Sequence, residues 1–338
     1  MRELLHLDRL KEGKVLLAFS GGVDSTALFH LLLKNSIAFD IAHVNYHTRP
    51  TSDHEALSAK QLAQSHSLHC YNHSCHLSGS NFEHQARIQR YQFFEYLMKK
   101  HHYTYLLTAH QLNDRLEWLM MQLCRGSGLP ELLGIRSIDR RGDITLIRPL
   151  LQHDRQEIES YLSENQLSHF IDESNHDEKY TRNRFRQQFS TPLMREHTDA
   201  LRRSFCYLEE DNETLIEKTD FQICGELSWV NNPSSVRSLI YGIDQYLKSL
   251  GILMSSSEKE HLKKDKSCVI SRKYVVSIEE TMTFISPYHP NVIMDKGFKE
   301  ECRKLKIDPK LRGFLYGSPE AYTAIRRLKE PLKPLQYD

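Results

Sequence analysis

The stretch Leu16-Leu17-Ala18-Phe19-Ser20-Gly21-Gly22-Val23-Asp24-Ser25-Thr26 constrains this chain more than any other. Val15 to Phe19 is a short apolar run of strand length that ends on two adjacent glycines. A helical stripe of Val23, Ala27, Leu28, Leu31 and Leu32 begins at once. A strand turning this tightly into a helix presents free N–H groups, and the positive end of the helix dipole, at the turn. Gly21 and Gly22 carry no Cβ, so a phosphate can approach the backbone there. Ser20, Ser25 and Thr26 can add hydroxyl donors. Asp24 beside a phosphate calls for a cation between the two, which makes it a candidate Mg²⁺ ligand. The G-x-x-x-x-G-K-[ST] spacing and its lysine are absent, so this is not a Walker loop. The plainer alternative is a tight turn capped by Ser25 or Thr26.

The alternation continues downstream. Phe39 to Asn45 reads as a strand, Ser52-Asp53-His54-Glu55 has capping-box spacing and opens a helix to about Ser65, and His69 to Cys75 reads as a strand. A second capping box at Ser80-Asn81-Phe82-Glu83 opens a helix to about Lys100, followed by a strand over Tyr103 to Ala109 and a helix over Asn113 to Cys124. Such alternation predicts an α/β fold, a doubly wound, mostly parallel sheet covered on both faces. Ligands of these sheets bind beyond the carboxyl ends of the strands, where the loops at Ser20, His43 and His110 fall.

Near Thr191-Pro192 the pattern changes. Thr as N-cap and Pro as first helical residue predict a charged helix to about Lys218. Another helix runs from Ser234-Ser235 to about Gly251, and Cys268 to Ile285 is β-rich. The division expected is an α/β domain over 1–190, a helical and β-hairpin region over 191–285, and a short region over 286–338 whose fold the pattern leaves open. The net charge of +1 does not exclude a polyanion partner, because Lys179 to Arg203, Lys259 to Lys273 and Lys299 to Lys310 are locally basic; solvated helix faces are the plain alternative. No apolar run is long enough to span a bilayer and the N-terminus does not read as a signal peptide, so a cytoplasmic protein without membrane contact is expected. The seven cysteines form no C-x-x-C pairs, which argues against a disulfide framework or zinc ribbon. His69, Cys70, His73, Cys75 and His76 have no evident fourth ligand, and a metal there is not expected.

The Ser20–Thr26 loop resembles the SGGxDS loop of N-type ATP pyrophosphatases (the PP-loop superfamily), which cleave ATP to AMP and pyrophosphate. Further segments resemble one of its families. His43-Val44-Asn45-Tyr46-His47-Thr48-Arg49 is similar to HVNHxLR, and Glu83, Ala86, Arg87, Arg90 and Tyr91 to ExxARxxRY. Thr108-Ala109-His110 with Asp114 and Glu117 resembles AHHxDDQxET; Arg125-Gly126-Ser127-Gly128 and Arg148-Pro149-Leu150-Leu151 match RGxG and RPLL. Asp172-Glu173-Ser174-Asn175 followed by Tyr180, Arg182, Asn183 and Arg186 matches DxSN…YxRNxxR. Over residues 15 to 190 this is the pattern of tRNA(Ile)-lysidine synthetases. The resemblance implies an adenine nucleotide alpha hydrolase-like fold, with a catalytic domain over 1–190 and a tRNA-contacting domain over 191–285. It also implies ATP and Mg²⁺ as cofactors, and a tRNA(Ile) with a CAU anticodon and free lysine as partners; a homodimer is allowed. The implied reaction adenylates O2 of the wobble cytidine, and the lysine amine then attacks C2 to give lysidine.

By that resemblance Asp114, Glu117, Arg182 and Arg186 are catalytic. Ser20, Gly21, Gly22, Asp24, Ser25, Thr26, His43, Arg125, Gly126 and Gly128 bind nucleotide. Asn45, Arg49, Glu83, Arg87 and Asn183 meet tRNA or lysine, and Asp24 and Asp114 hold the metal. Asp114 and Glu117 share a helix face and are expected to point freely at the strand ends, one holding Mg²⁺ and the other accepting a proton. Leu116, Leu119, Met120 and Leu123 would form the packed face. Plainer roles remain open: two solvated acids, Arg87 and Arg90 paired within their own helix, Glu83 as a capping acid, and Gly126 as a helix stop. The chain departs from the family at Gln111, Asn113, Arg115 and Trp118, and the lost carboxylate at Asn113 bears on the number of metal ions. The rival readings are a tRNA thiolase, although paired cysteines are absent, a small-molecule synthetase, and a non-catalytic tRNA-binding homologue.

Overall fold

The computed structural model describes residues 2–48, 51–77, 81–170 and 181–329. Arg49, Asp172 to Asn175 and Tyr180 lie outside the described residues. The chain divides into two compact units, 1–210 and 211–338.

The first unit begins with α1 (Leu7–Glu12), β1 (Val15–Ala18), α2 (Val23–Lys34), β2 (Phe39–Asn45), α3 (Ser52–Ser65), β3 (Cys70–Ser74), α4 (Phe82–His101) and β4 (Tyr105–Leu107). It continues through α5 (Leu112–Leu123), α6 (Leu129–Leu132), β5 (Ile138–Arg141), β6 (Ile144–Ile147), α7 (Arg155–Glu164) and α8 (Thr181–Phe185). The sheet order is β3-β2-β1-β4-β6-β5, parallel except for β5 against β6. The chain builds outward from β1 through β2 to β3, then returns to place β4 on the other side of β1. The switch point therefore lies between β1 and β4, the crevice where such sheets bind ligands.

Each central strand is apolar on both sides, because helices cover both faces. Val15, Leu17, Ile41, Leu107 and Ile147 pack with Leu28, Leu32 and Ile158 on one face. Leu16, Ala42, Leu106 and Leu146 pack with Phe94, Leu97 and Met98 on the other.

Local signals misplaced several helix ends. The N-cap of α3 is Thr51, and Ser52 is already helical; Thr51 Oγ1 donates to Glu55 Oε1 at 2.9 Å instead of forming the expected capping box. Asn81, not Ser80, is the N-cap of α4, with no side-chain cap. Thr191-Pro192 does not start a helix. A π turn over Arg186–Ser190 joins α8 directly to α9 (Thr191–Leu215), which is itself kinked at His197 (φ −131°). Pro192 lacks the N–H that would close onto residue 188, and the wider π turn falls at that place; the Thr191 N–H closes back onto Arg186 O. Most of α9 belongs to the first unit, because Met194 and Phe205 are buried with Leu112, Leu116 and Leu133.

The second unit contains β7 (Gln222–Cys224), β8 (Leu227–Asn231), α10 (Val236–Ser249), α11 (Ser256–Asp265), β9 (Ser267–Ile270), β10 (Tyr274–Ile278) and β11 (Met282–Pro287). It ends in α12 (Lys296–Lys304), α13 (Arg312–Gly317) and α14 (Pro319–Lys329). The expected hairpin is part of a five-stranded antiparallel sheet, β7-β8-β11-β10-β9. Ile240, Ile243, Leu247 and Leu262 cover one face over Val276 and Ile285. Phe314, Leu315 and Ile325 cover the other over Val275 and Phe284. Among the described residues, α12 to α14 are thus the second cover of this sheet, because alternate side chains of β10 and β11 are apolar on both faces and need two layers. No helix among the described residues is long and apolar enough to cross a membrane.

Candidate active site

The loop between β1 and α2 is held by its own side chains. Gly21 has φ of 79°, a left-handed conformation open to glycine, and a Cβ there would come within 3.1 Å of the Phe170 ring. Ser25 Oγ donates to Gly22 O at 3.1 Å, Thr26 Oγ1 donates to Gly21 O at 3.2 Å, and Ser20 Oγ lies 3.0 Å from Ser25 Oγ. The Ser25 and Thr26 hydroxyls expected to face a phosphate therefore fix the loop's shape. The Gly21, Asp24 and Ser25 N–H groups have no acceptor among the described residues, so what this loop can offer an anion is backbone amides at a helix start. His43, buried in β2, holds the root of the loop, its Nδ1 3.0 Å from Phe19 O. Burial pushes its imidazole below the usual range, so it stays neutral and donates that proton.

Asp24 opens α2 at the loop's mouth. Burial pushes its carboxyl up to about 7, against the nearby Arg155; the Asp114 charge adds to the rise. Arg155 Nη1 lies 3.2 and 3.5 Å from its two oxygens. A half-buried carboxylate that resists ionisation, with a second acid raising it further, fits a divalent cation that would relieve both. No group of three His, Cys, Asp or Glu side chains among the described residues is placed to hold a metal alone. Mg²⁺ suits such a site, since it takes one or two carboxylates and completes its shell with water and phosphate.

The acids of α5 are not free. Asp114 Oδ2 accepts from Gln111 N at 2.9 Å, and its Oδ1 is bound by Arg182 Nη2. Glu117, 1% exposed, takes Arg182 Nε at 2.8 Å on Oε2 and Arg186 Nε at 2.6 Å on Oε1. The expectation that both acids point unpaired at the strand ends gives way here: two acids inside the protein need two cations, and α8 with its π turn supplies them. Burial alone would raise Asp114; Arg182 outweighs it and keeps the carboxyl below the usual range. His110, 2.8 Å from Thr108 Oγ1, is pushed down to about 4 by burial, and is neutral.

A family model for the PP-loop domain matches residues 1–193. The chain is 44% identical to the tRNA(Ile)-lysidine synthase of Wolinella succinogenes, over 93% of this chain and 96% of that one. It is 41% identical to that of Campylobacter jejuni strain RM1221 (91% and 94%) and 36% to that of Helicobacter pylori strain 26695 (98% of each). The chain belongs to the tRNA(Ile)-lysidine synthase family. Among solved structures, a U34-tRNA thiolase from Methanococcus maripaludis shares the fold, with a TM-score of 0.51 over 64% of this chain and 77% of that one, at 18% identity.

The four departures from the lysidine synthase pattern all have places in the architecture. Gln111 caps α5, accepting from Asn113 N at 2.7 Å. Asn113 Oδ1 accepts the Arg155 N–H at 3.1 Å, tying α5 to the start of α7. Arg115 pairs with Glu209 at 2.6 Å over the Phe205 ring, and Trp118 Nε1 donates to Glu131 O at 2.8 Å. None of the four takes Asp114 or Glu117 from the cluster.

Other expected residues divide between site and scaffold. Gly126, φ 72°, is a helix stop: its N–H reaches Leu123 O and that of Ser127 reaches Gln122 O, the paired bonds of a Schellman motif. Gly128 is the N-cap of α6, and Arg125 is exposed. Asn45 Nδ2 donates to Asp53 Oδ1 at 2.7 Å, bracing β2 against α3. Glu83 and Arg87 lie exposed on α4, with the Arg87 guanidinium 4.9 Å from the Tyr91 ring centre; Asn183 is buried on α8. Leu116 is buried and Leu119 and Met120 pack beside it, whereas Leu123, at the helix end, is exposed. Arg155 escaped the sequence reading, because nothing local marks a first-turn arginine as a partner of Asp24.

Proposed function

We propose that this protein joins lysine to C2 of the wobble cytidine in a tRNA(Ile) with a CAU anticodon, through an O2-adenylated cytidine, releasing AMP and pyrophosphate. The observation that carries this reading is 36–44% identity to lysidine synthases along more than nine-tenths of the chain, supported by the loop amides, Asp24, Asp114, Glu117, Arg182 and Arg186 lying near one another. The Gly21, Asp24 and Ser25 amides hold the triphosphate. Mg²⁺, held by Asp24, would neutralise charge on the phosphates as the cytosine O2 attacks the α-phosphorus.

The cluster in α5 and α8 is charge-balanced, two acids against two arginines. We read its role as an exchange of partners. Arg182 and Arg186 turn toward phosphate oxygens while Asp114 and Glu117 receive the lysine ammonium, so that an anion and a cation enter without leaving a buried charge alone. Asp114, held ionised by Arg182, is a weak proton acceptor; placing the amine is the better role for it than general base. Asp114 as a metal ligand enters only through its field on Asp24. The exposed Glu83 and Arg87 of α4 and the basic helices of the second unit are the surfaces read as meeting tRNA. A cytoplasmic location and a homodimer belong to the same reading.

Incubation with ATP, lysine and a CAU-anticodon tRNA, followed by nucleoside mass analysis, tests it. Lysidine with one pyrophosphate per nucleoside is the expected result. Pyrophosphate without lysidine points to another adenylating enzyme, and tRNA binding without pyrophosphate to a non-catalytic homologue.

A further inference from the structure

Arg155 is the first residue of α7, where a cation opposes the helix dipole, so helix stability does not account for it. Its Nη1 faces both oxygens of Asp24, while its Nε donates to Glu159 Oε1 at 2.6 Å. Its backbone N–H is fixed to Asn113 Oδ1. One guanidinium thus joins the acid of the phosphate loop to a second acid one turn along its own helix. The side chains of Arg155 and Glu159 are 41% and 54% exposed, so the guanidinium sits at the solvent border with a partner on its outer side. Asp24 is 29% exposed and has Arg155 as its ion-pair partner.

We propose that Arg155 is a resident counter-cation for Asp24, displaced onto Glu159 when Mg²⁺ arrives with the nucleotide, so that the loop takes its metal together with the triphosphate. The inference rests on Asp24 being the metal ligand. Arg155 Nη1 faces both Asp24 oxygens, so a divalent ion on that carboxylate competes with the guanidinium and is repelled by it. A free ion must expel the guanidinium unaided. An ion carried on a triphosphate brings oxygens that offer the guanidinium a second anion besides Glu159. Arg155 is a positioning residue here: it acts through Asp24.

The test uses the full chain, with Mn²⁺ binding followed by electron paramagnetic resonance, with and without α,β-methylene-ATP. Arg155→Met should tighten nucleotide-free Mn²⁺ binding by about fivefold or more, and shrink the gain in affinity that the analogue produces. Glu159→Gln, at an exposed side chain, removes the retreat and should weaken Mn²⁺ binding by about two- to threefold. The opposite signs separate this role from a structural one, and the second variant keeps the test intact where Arg155→Met unfolds. Unchanged or weaker Mn²⁺ binding in Arg155→Met, or a tightening in Glu159→Gln, overturns the proposal. Retention of Mn²⁺ binding by Asp24→Asn overturns instead the reading of Asp24 on which it rests.

Discussion

Two segments of this chain have nearly the same sequence and different places in their helices. Asp114-Arg115-Leu116-Glu117 and Asp154-Arg155-Gln156-Glu157 both open a helix, and both pairs of acids are bound by arginines from the 181–202 stretch. They differ in register. Asp154 is the N-cap of α7, accepting from Glu157 N at 2.9 Å, while Glu157 Oε2 accepts from Asp154 N at 3.1 Å. Both acids complete the helix end, and Arg202, bonded to Gln152 O at 2.8 Å, closes over them. In α5 the cap is Gln111, which pushes the pair one turn inward. Asp114 keeps half a capping role through Gln111 N, and Glu117 has none. The lesson is that three residues of register decide whether an acid pair serves its own helix end, as Asp154 and Glu157 do, or mainly binds side chains from elsewhere, as Glu117 does with Arg182 and Arg186.

The comparison breaks first at α5. Asp114→Asn and Glu117→Gln should each lower lysidine formation by about 10²–10³ or more, since each unsettles preorganised arginines; near-normal turnover in either would make the α5 pair as structural as the α7 pair. Arg202→Ala is the counterpart on α7. Arg202 is 9% exposed, and its loss takes the ion-pair partner from Asp154 while Glu157 keeps Arg2, which should cost about 3 kcal/mol in chemical denaturation with little change in rate per folded molecule. A large rate loss at unchanged stability would put that cluster in the site. Asp154→Ala should cost about 1 kcal/mol as a lost cap, read from the denaturant midpoint at constant slope, with turnover within about twofold.

The smallest expected effect concerns pH. Burial raises the Asp24 carboxyl from 3.8 to about 7, so between those values the native chain holds a proton that the unfolded chain has released. Its contribution to the stability of the nucleotide-free chain must therefore fall as pH rises through that window. Asp24→Asn should flatten this part of the profile, and an Asp154→Asn control should leave it in place. The same slope in Asp24→Asn as in the parent would remove the case for a burdened carboxylate at the loop.

Much of the first unit was legible because its signals are local. Gly21-Gly22 between an apolar run and an amphipathic stripe can do little other than turn a strand into a helix. The strands at Phe39 and Tyr105 announce themselves by length and apolarity. The second unit was less legible: β7 and β8 are short and mixed, and α12 to α14 bury one face each, so their cover of the antiparallel sheet shows only once β8 and β11 pair. Thr191-Pro192 misled for a similar reason. A local rule reads a helix start there, while packing of Met194 and Phe205 against α5 continues an existing helix through it.

By itself the sequence determined the phosphate loop, the alternation that makes a parallel sheet, and the candidate acids and arginines, because backbone preferences act over a few residues. Tertiary structure alone decided which partner each charge takes. Arg182 meets Glu117 across 65 residues and Arg155 meets Asp24 across 131, and both pairings depend on which strand ends the switch at β1 and β4 brings together. A charge fixes how much a partner is needed; only the folded chain fixes which partner stands beside it.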